Sequence, residues 1–254
     1  MNSKHAKLIR QYAKKFGEDP KVLKKQFTTL PKKGQLELVE HMKKHINIPD
    51  MAIKDTEPVT KVPRHHRLFY GSSYDRGLEH ILKLWPKVLA KFPDATLDIC
   101  YGWNLYDAAF SDNPERQEWK KRIDQQMQQK GITHHGRLGR DELAKVRSRC
   151  GIWAYPTHFQ EINCITALEC QRDGLVPVVM NFAALKETVG SGKRVDGDIY
   201  DDEVREEYLN ALFEIMGTSS GLWAEESAKA QEFAKGYEWE VIANEWTKQF
   251  TDTK

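Results

Sequence analysis

Between residues 67 and 180, short and nearly continuous apolar runs alternate with longer amphipathic stretches, and this alternation constrains the fold more than any other feature. The runs occupy residues 67–71, 95–100, 132–136, 152–155 and 176–180. Each is too short for a buried helix and lacks the strict apolar–polar alternation of a strand with one wet face. Five such runs with helix-forming segments between them predict an α/β fold: one parallel sheet with helices on both faces. In the first intervening segment Leu78, Ile81, Leu82, Trp85, Val88 and Leu89 recur at helical spacing. Pro86 is expected to kink that helix or to sit in its first turns. Asn113-Pro114 opens a very polar helix reaching to about Lys130, and Asp141 is expected to cap a helix running to Cys150. Another helix joins the last two runs, and three more close the chain at roughly 201–217, 222–236 and 238–251.

The first 66 residues differ in character. They hold 15 Lys and Arg against 7 Asp and Glu, whereas residues 67–254 hold 24 against 30. Residues 1–46 read as a small basic helical segment of three helices. The first has Ser3 as cap, Leu8, Ile9, Tyr12, Ala13 and Phe16 as its apolar stripe and Gly17 as its end. Asp19-Pro20 starts the second, with Val22, Leu23 and Phe27 facing inward, and Leu36, Leu38, Val39 and Met42 do so in the third. Residues 47–66 read as a linker, and 67–254 as the main domain. A net excess of positive charge interleaved with aromatic side chains suits nucleic acid or an anionic membrane surface.

No run of about 18 apolar residues exists, so no transmembrane helix is expected. The N-terminus lacks the apolar core of a signal peptide. Cys100, Cys150, Cys164 and Cys170 lack paired spacing and read as free buried thiols of a reducing compartment, which places the protein in the cytoplasm. The same lack of ligand spacing predicts no metal site. The dinucleotide fingerprint GxGxxG and the Walker A pattern are both absent.

In an open parallel sheet, ligands bind beyond the carboxyl ends of the strands. Four loops fall there: residues 71–77, 101–103, 136–140 and 156–161. They offer small residues, arginines, helix N-terminal N–H groups and a carboxylate. Arginine pairs its planar fork with phosphate, and a carboxylate accepts sugar hydroxyls. Phosphate next to a hydroxyl-rich group describes a nucleotide or a nucleotide sugar.

The segment FQEINCITALECQRDGLVPVV holds Glu161 and Glu169 with seven residues between them, followed by Gly174 and Pro177-Val178-Val179. With RLFYGSSYDRGLEHIL, Ala184–Val189 in sequence order and the closing Trp239 to Trp246 stretch, it resembles the donor-binding domain of family-4 retaining glycosyltransferases of GT-B fold, over about residues 65–251. The resemblance implies a Rossmann-like domain that binds a nucleotide sugar and transfers its glycosyl unit with retention, without a metal or other cofactor. Residue by residue it implies that Glu161 holds the donor-sugar hydroxyls and Glu169 the ribose. Arg76 would neutralise the diphosphate with Ser73 beside it, and the backbone N–H groups of Asn163 and Cys164 would meet the distal phosphate. Arg137 would serve the diphosphate or the base. Where family members carry glycines after the first Glu, this chain has Ile162, Asn163 and Cys164. The acceptor-binding domain of a GT-B enzyme has no counterpart in residues 1–46. The acceptor is then a carbohydrate, or nucleic acid through the basic segment, with a homodimer mate or partner chain supplying the missing half. The alternatives are a non-catalytic nucleotide-sugar-binding module, half of a split enzyme, or another nucleotide-using α/β enzyme such as an epimerase.

Overall fold

The computed structural model describes residues 62–252 and, before them, residues 5, 6, 8–11, 20–29, 31–33, 35, 36 and 39. The chain divides into two compact units, Met1–Thr60 and Lys61–Lys254.

In the smaller unit, residues 5–6 and 8–11 are helical and α1 spans Pro20–Thr29, with proline at its first position. Ile9, Phe27 and Val39 are buried, and His5 meets the Phe27 ring edge-on at 5.3 Å. Leu36, expected inside, is 63% exposed. Ser3, Tyr12, Phe16, Gly17, Asp19, Leu38, Met42 and the linker residues 47–61 lie outside the described residues, as do the side chains of Val22 and Leu23.

The larger unit is built on six parallel strands in the order β3-β2-β1-β4-β5-β6. In chain order its elements are β1 (Arg67–Tyr70), α2 (Leu78–Lys91), β2 (Thr96–Cys100), α3 (Asn104–Phe110), α4 (Pro114–Gln126), β3 (Ile132–Gly136), α5 (Arg140–Arg149), β4 (Ile152–Tyr155), α6 (Ile165–Arg172), β5 (Val176–Met180), α7 (Leu185–Thr188), β6 (Lys193–Val195), α8 (Asp202–Met216), α9 (Ser220–Lys235) and α10 (Trp239–Asp252). The five expected strands are present. Leu68 sits in register with Leu97 on one side and Ile152 on the other, and Ile152 with Val176. Every residue of β4 and β5 is buried, which is why their sequences are apolar without alternation. The expected Rossmann-like α/β domain is therefore the observed one.

Three local features refine the expectation. Pro86 lies in the interior of α2, at neither end. Proline cannot donate to the Leu82 carbonyl four residues earlier. The side chain of Gln129 does so instead, at 3.0 Å, while Trp85 Nε1 bonds the Lys130 carbonyl at 2.8 Å. Helix α5 starts two residues early, with Gly139 rather than Asp141 as its cap. Residues 64–66, read as the end of the linker, form a 3-10 turn against the sheet. The Arg64 guanidinium donates to the Cys150 carbonyl at 2.7 Å and the Asp173 carbonyl at 3.2 Å, and lies 5.0 Å over the Trp223 ring. His65 is buried beside it. The four cysteines are free and buried. Among the described residues no helix is long and apolar enough to cross a membrane.

Candidate functional site

The strand order reverses between β1 and β4, because the chain leaves β1 toward β2 and β3 but leaves β4 toward β5 and β6. The loops beyond these two strands diverge, and the crevice between them is the ligand position of an open α/β sheet.

The first wall is the loop after β1. Ser73 donates its hydroxyl to Asp75 at 2.7 Å, and its carbonyl accepts the Arg76 N–H at 3.0 Å, closing a 3-10 turn over Tyr74–Arg76. Buried Tyr74 anchors this turn. Its phenol oxygen accepts the Gly102 N–H at 2.8 Å and lies 2.7 Å from His134 Nε2, so the loops after β1 and β2 and the middle of β3 share one hydrogen-bonded brace. Gly77 ends the turn at φ +114°, and a Cβ there would stand 2.3 Å from the Pro156 carbonyl oxygen. Only glycine lets the two walls meet backbone to backbone.

The second wall is the loop after β4. Tyr155 donates to Glu161 Oε1 at 2.7 Å, and Ser72 reaches the Tyr155 hydroxyl at 3.1 Å. Burial holds the Tyr155 phenol well above its usual range, so it stays a donor. Arg76 crosses from the first wall, with Nη1 3.4 Å from Glu161 Oε1 and its guanidinium 3.8 Å over the Phe159 ring. Arg76 remains about a third exposed, while Glu161 is 12% exposed. Among the described residues the second oxygen of Glu161 has no hydrogen-bond partner.

Beyond Glu161 the chain turns into α6 with Cys164 as its cap residue. Burial pushes the Cys164 thiol up to about 12, so the group is neutral. Among the described residues the backbone N–H groups of Asn163 and Cys164 bond no backbone carbonyl. They stand at the positive end of the α6 dipole, where an anion is favoured. Glu169 sits in the second turn of α6 and is not free: Arg147 of α5 donates to its Oε2 at 2.7 Å. Arg137 lines a pocket of about 320 Å³ with Gly71, Tyr101, Gly102, Leu138 and Leu143, beyond the ends of β1, β2 and β3.

The structure thus brings Arg76 and Glu161 into contact, with the Asn163 and Cys164 N–H groups following on the same loop. Ser73 is engaged with Asp75, Arg137 with its pocket and Glu169 with Arg147. Sequence reasoning missed Ser72, Tyr155, Phe159 and Arg147. Arg147 carried one faint signal, its place among Leu143, Val146 and Cys150 on the inward side of an otherwise polar helix. His158 stands in the loop after β4. It lies 3.4 Å from the Tyr200 hydroxyl, and both rings pack on fully buried His80, at 5.9 and 4.8 Å. Among the described residues no three His, Cys, Asp or Glu side chains cluster closely enough to hold a metal ion.

The family model described as "Glycosyl transferases group 1" matches residues 67–236, well over half the chain. The chain belongs to the group 1 glycosyl transferases. Against curated proteins its sequence has no match. Among solved structures this group 1 domain is similar to a GtfA/B complex, with a TM-score of 0.60 and 14% identity over 76% of this chain and 37% of the other. It is similar to the pneumococcal O-GlcNAc transferase GtfA solved with UDP and GlcNAc, at 0.58 and 13% identity over 76% and 37%. It also resembles a sucrose-phosphate synthase from Thermosynechococcus elongatus, at 0.56 and 20% identity over 74% and 45%. These likenesses establish the fold, the Rossmann-like domain of GT-B glycosyltransferases. The chain spans less than half the length of each of these structures.

Proposed function

We propose that this chain binds a nucleoside-diphosphate sugar and transfers its glycosyl unit with retention of configuration. The observation that carries the reading is the Arg76–Glu161 contact across the switch point, beside N–H groups at the mouth of α6 that bond no backbone carbonyl among the described residues. Arg76 holds the diphosphate, and its long 3.4 Å contact with Glu161 leaves guanidinium donors for phosphate oxygens. The Asn163 and Cys164 N–H groups meet the distal phosphate. Glu161, steadied on one oxygen by Tyr155, offers the other to the donor-sugar hydroxyls. Glu169 accepts a ribose hydroxyl. The mixed apolar and polar pocket beside Arg137 takes the base, and Ser73 shapes the diphosphate loop. As the glycosidic bond breaks, negative charge grows on the departing diphosphate, where Arg76 and the helix mouth are already aimed.

Calorimetry with UDP, GDP and ADP tests this reading. UDP is the natural first probe because the similar pneumococcal transferase was solved with it. One of the three binds the wild type, Arg76→Ala weakens it tenfold or more, and Glu161→Gln leaves nucleoside-diphosphate affinity unchanged while weakening the nucleotide sugar. No binding to any of the three defeats the proposal. A second reading is a nucleotide-sugar-binding half that works only with another polypeptide. The matched structures are longer than this chain, which covers 37–45% of them. Binding without hydrolysis or transfer by the isolated chain selects this second reading.

A further inference from the structure

We infer that Arg147 is a positioning residue that sets the site's preference for ribose over deoxyribose nucleotides, an inference resting on the reading of Glu169 given above. Arg147 is a charged side chain only 3% exposed, and two carboxylates of one helix face hold it. Its Nη1 donates to Glu169 Oε2 and its Nε to Asp173 Oδ2, both at 2.7 Å. Glu169 and Asp173 stand four residues apart, one turn along α6 and its C-terminal cap, so the guanidinium fork from α5 spans them both.

This clamp has one consequence for Glu169. A free glutamate side chain samples many rotamers, and ordering it only on ligand binding would weaken that binding. With Oε2 held by a buried cation, the carboxylate is ordered before any ligand arrives. Its other oxygen, Oε1, is unpartnered among the described residues, and the side chain is 27% exposed. A carboxylate oxygen fixed in place and unpartnered among the described residues takes a hydroxyl donor well. It penalises a ligand that lacks one, because the carboxylate is then covered without a partner.

The test compares UDP with 2′-deoxy-UDP and 3′-deoxy-UDP by calorimetry (or the GDP or ADP counterparts, whichever nucleotide binds best). The proteins are the full chain as wild type, Arg147→Lys and Arg147→Met. The lysine variant keeps a positive charge between the two carboxylates, and so remains readable if the methionine variant does not fold. The wild type loses at least tenfold in affinity on removal of one ribose hydroxyl. In Arg147→Lys that penalty shrinks to about threefold or less while the thermal midpoint shows the protein folded. A purely structural Arg147 would weaken the ribo and deoxy forms equally, and an unchanged ratio in a folded variant overturns the inference. A wild type that binds UDP without a deoxy penalty removes the ribose role of Glu169 and the inference with it. A wild type that binds no nucleoside diphosphate refutes the donor reading itself.

Discussion

His80 gives the most demanding prediction. It lies on α2 with no exposed surface, and neither ring nitrogen has a hydrogen-bond partner among the described residues. Burial is the main reason its pKa falls from 6.5 to about 4, with Glu79 opposing the shift and His158, Lys83 and Arg205 adding to it. Between those two values the unfolded chain holds a proton that the folded chain does not, so stability rises with pH across the window. The contribution is fully present above 6.5 and is lost as pH falls through 6.5 toward 4. At 1.36 kcal/mol per pH unit, the gap makes about 3 kcal/mol. His80→Leu keeps the volume and removes an unpaired polar group, so at pH 7 it should unfold within about 1 kcal/mol of the wild type. Urea unfolding followed by tryptophan fluorescence at pH 7, 5.5 and 4 then separates the two proteins. The variant loses about 3 kcal/mol less on acidification. Its slope is not flat, because burial lowers the pKa of His65 and His134 as well. Equal losses in the two proteins would refute the reasoning.

Two further outcomes follow from the geometry. Gly77→Ala forces a side chain onto φ +114° with its Cβ 2.3 Å from the Pro156 carbonyl. It should cost about 3 kcal/mol or more in denaturant unfolding, and should weaken nucleotide binding by parting the two walls. Burial pushes the Cys100 and Cys164 thiols up to about 12, and holds Cys150 and Cys170 well above the usual thiol range. A disulfide reagent at pH 8 should find no reactive thiol in the native protein and all four after unfolding in guanidinium.

The strands were legible because complete burial leaves a simple mark. Ile152-Trp153-Ala154-Tyr155 and Val176–Met180 have water on neither face, and nothing but apolar side chains suits them. The exception is β6, three residues of Lys-Arg-Val at the edge of the sheet, too short and too polar to stand out. Helix α3 was missed for a related reason, since no side chain caps its start and only Tyr106 is buried. At the site, Glu161, Glu169 and Arg76 were visible as motif residues, yet their partners were not. Arg76 and Glu161 stand 85 positions apart, and Arg147 lies 22 from Glu169 on a helix of low apolar content. Residue types announce which chemistry is available; which groups touch is decided by the strand order, and no local pattern encodes that.

That strand order also governs how the domain can be made. No two neighbouring strands are joined by a hairpin, since every ladder is parallel and must wait for a crossover to be synthesised. Leu68 acquires Leu97 after 29 residues, but its other neighbour, Ile152, comes 84 residues after it in the chain. At about 5–20 residues per second on the ribosome, one side of the most central apolar strand stays open for roughly 4 to 17 s. The two walls of the crevice meet only when that ladder closes, so a nascent chain stopped before β4 would expose an unpaired Leu-Phe-Tyr edge and have no crevice at all.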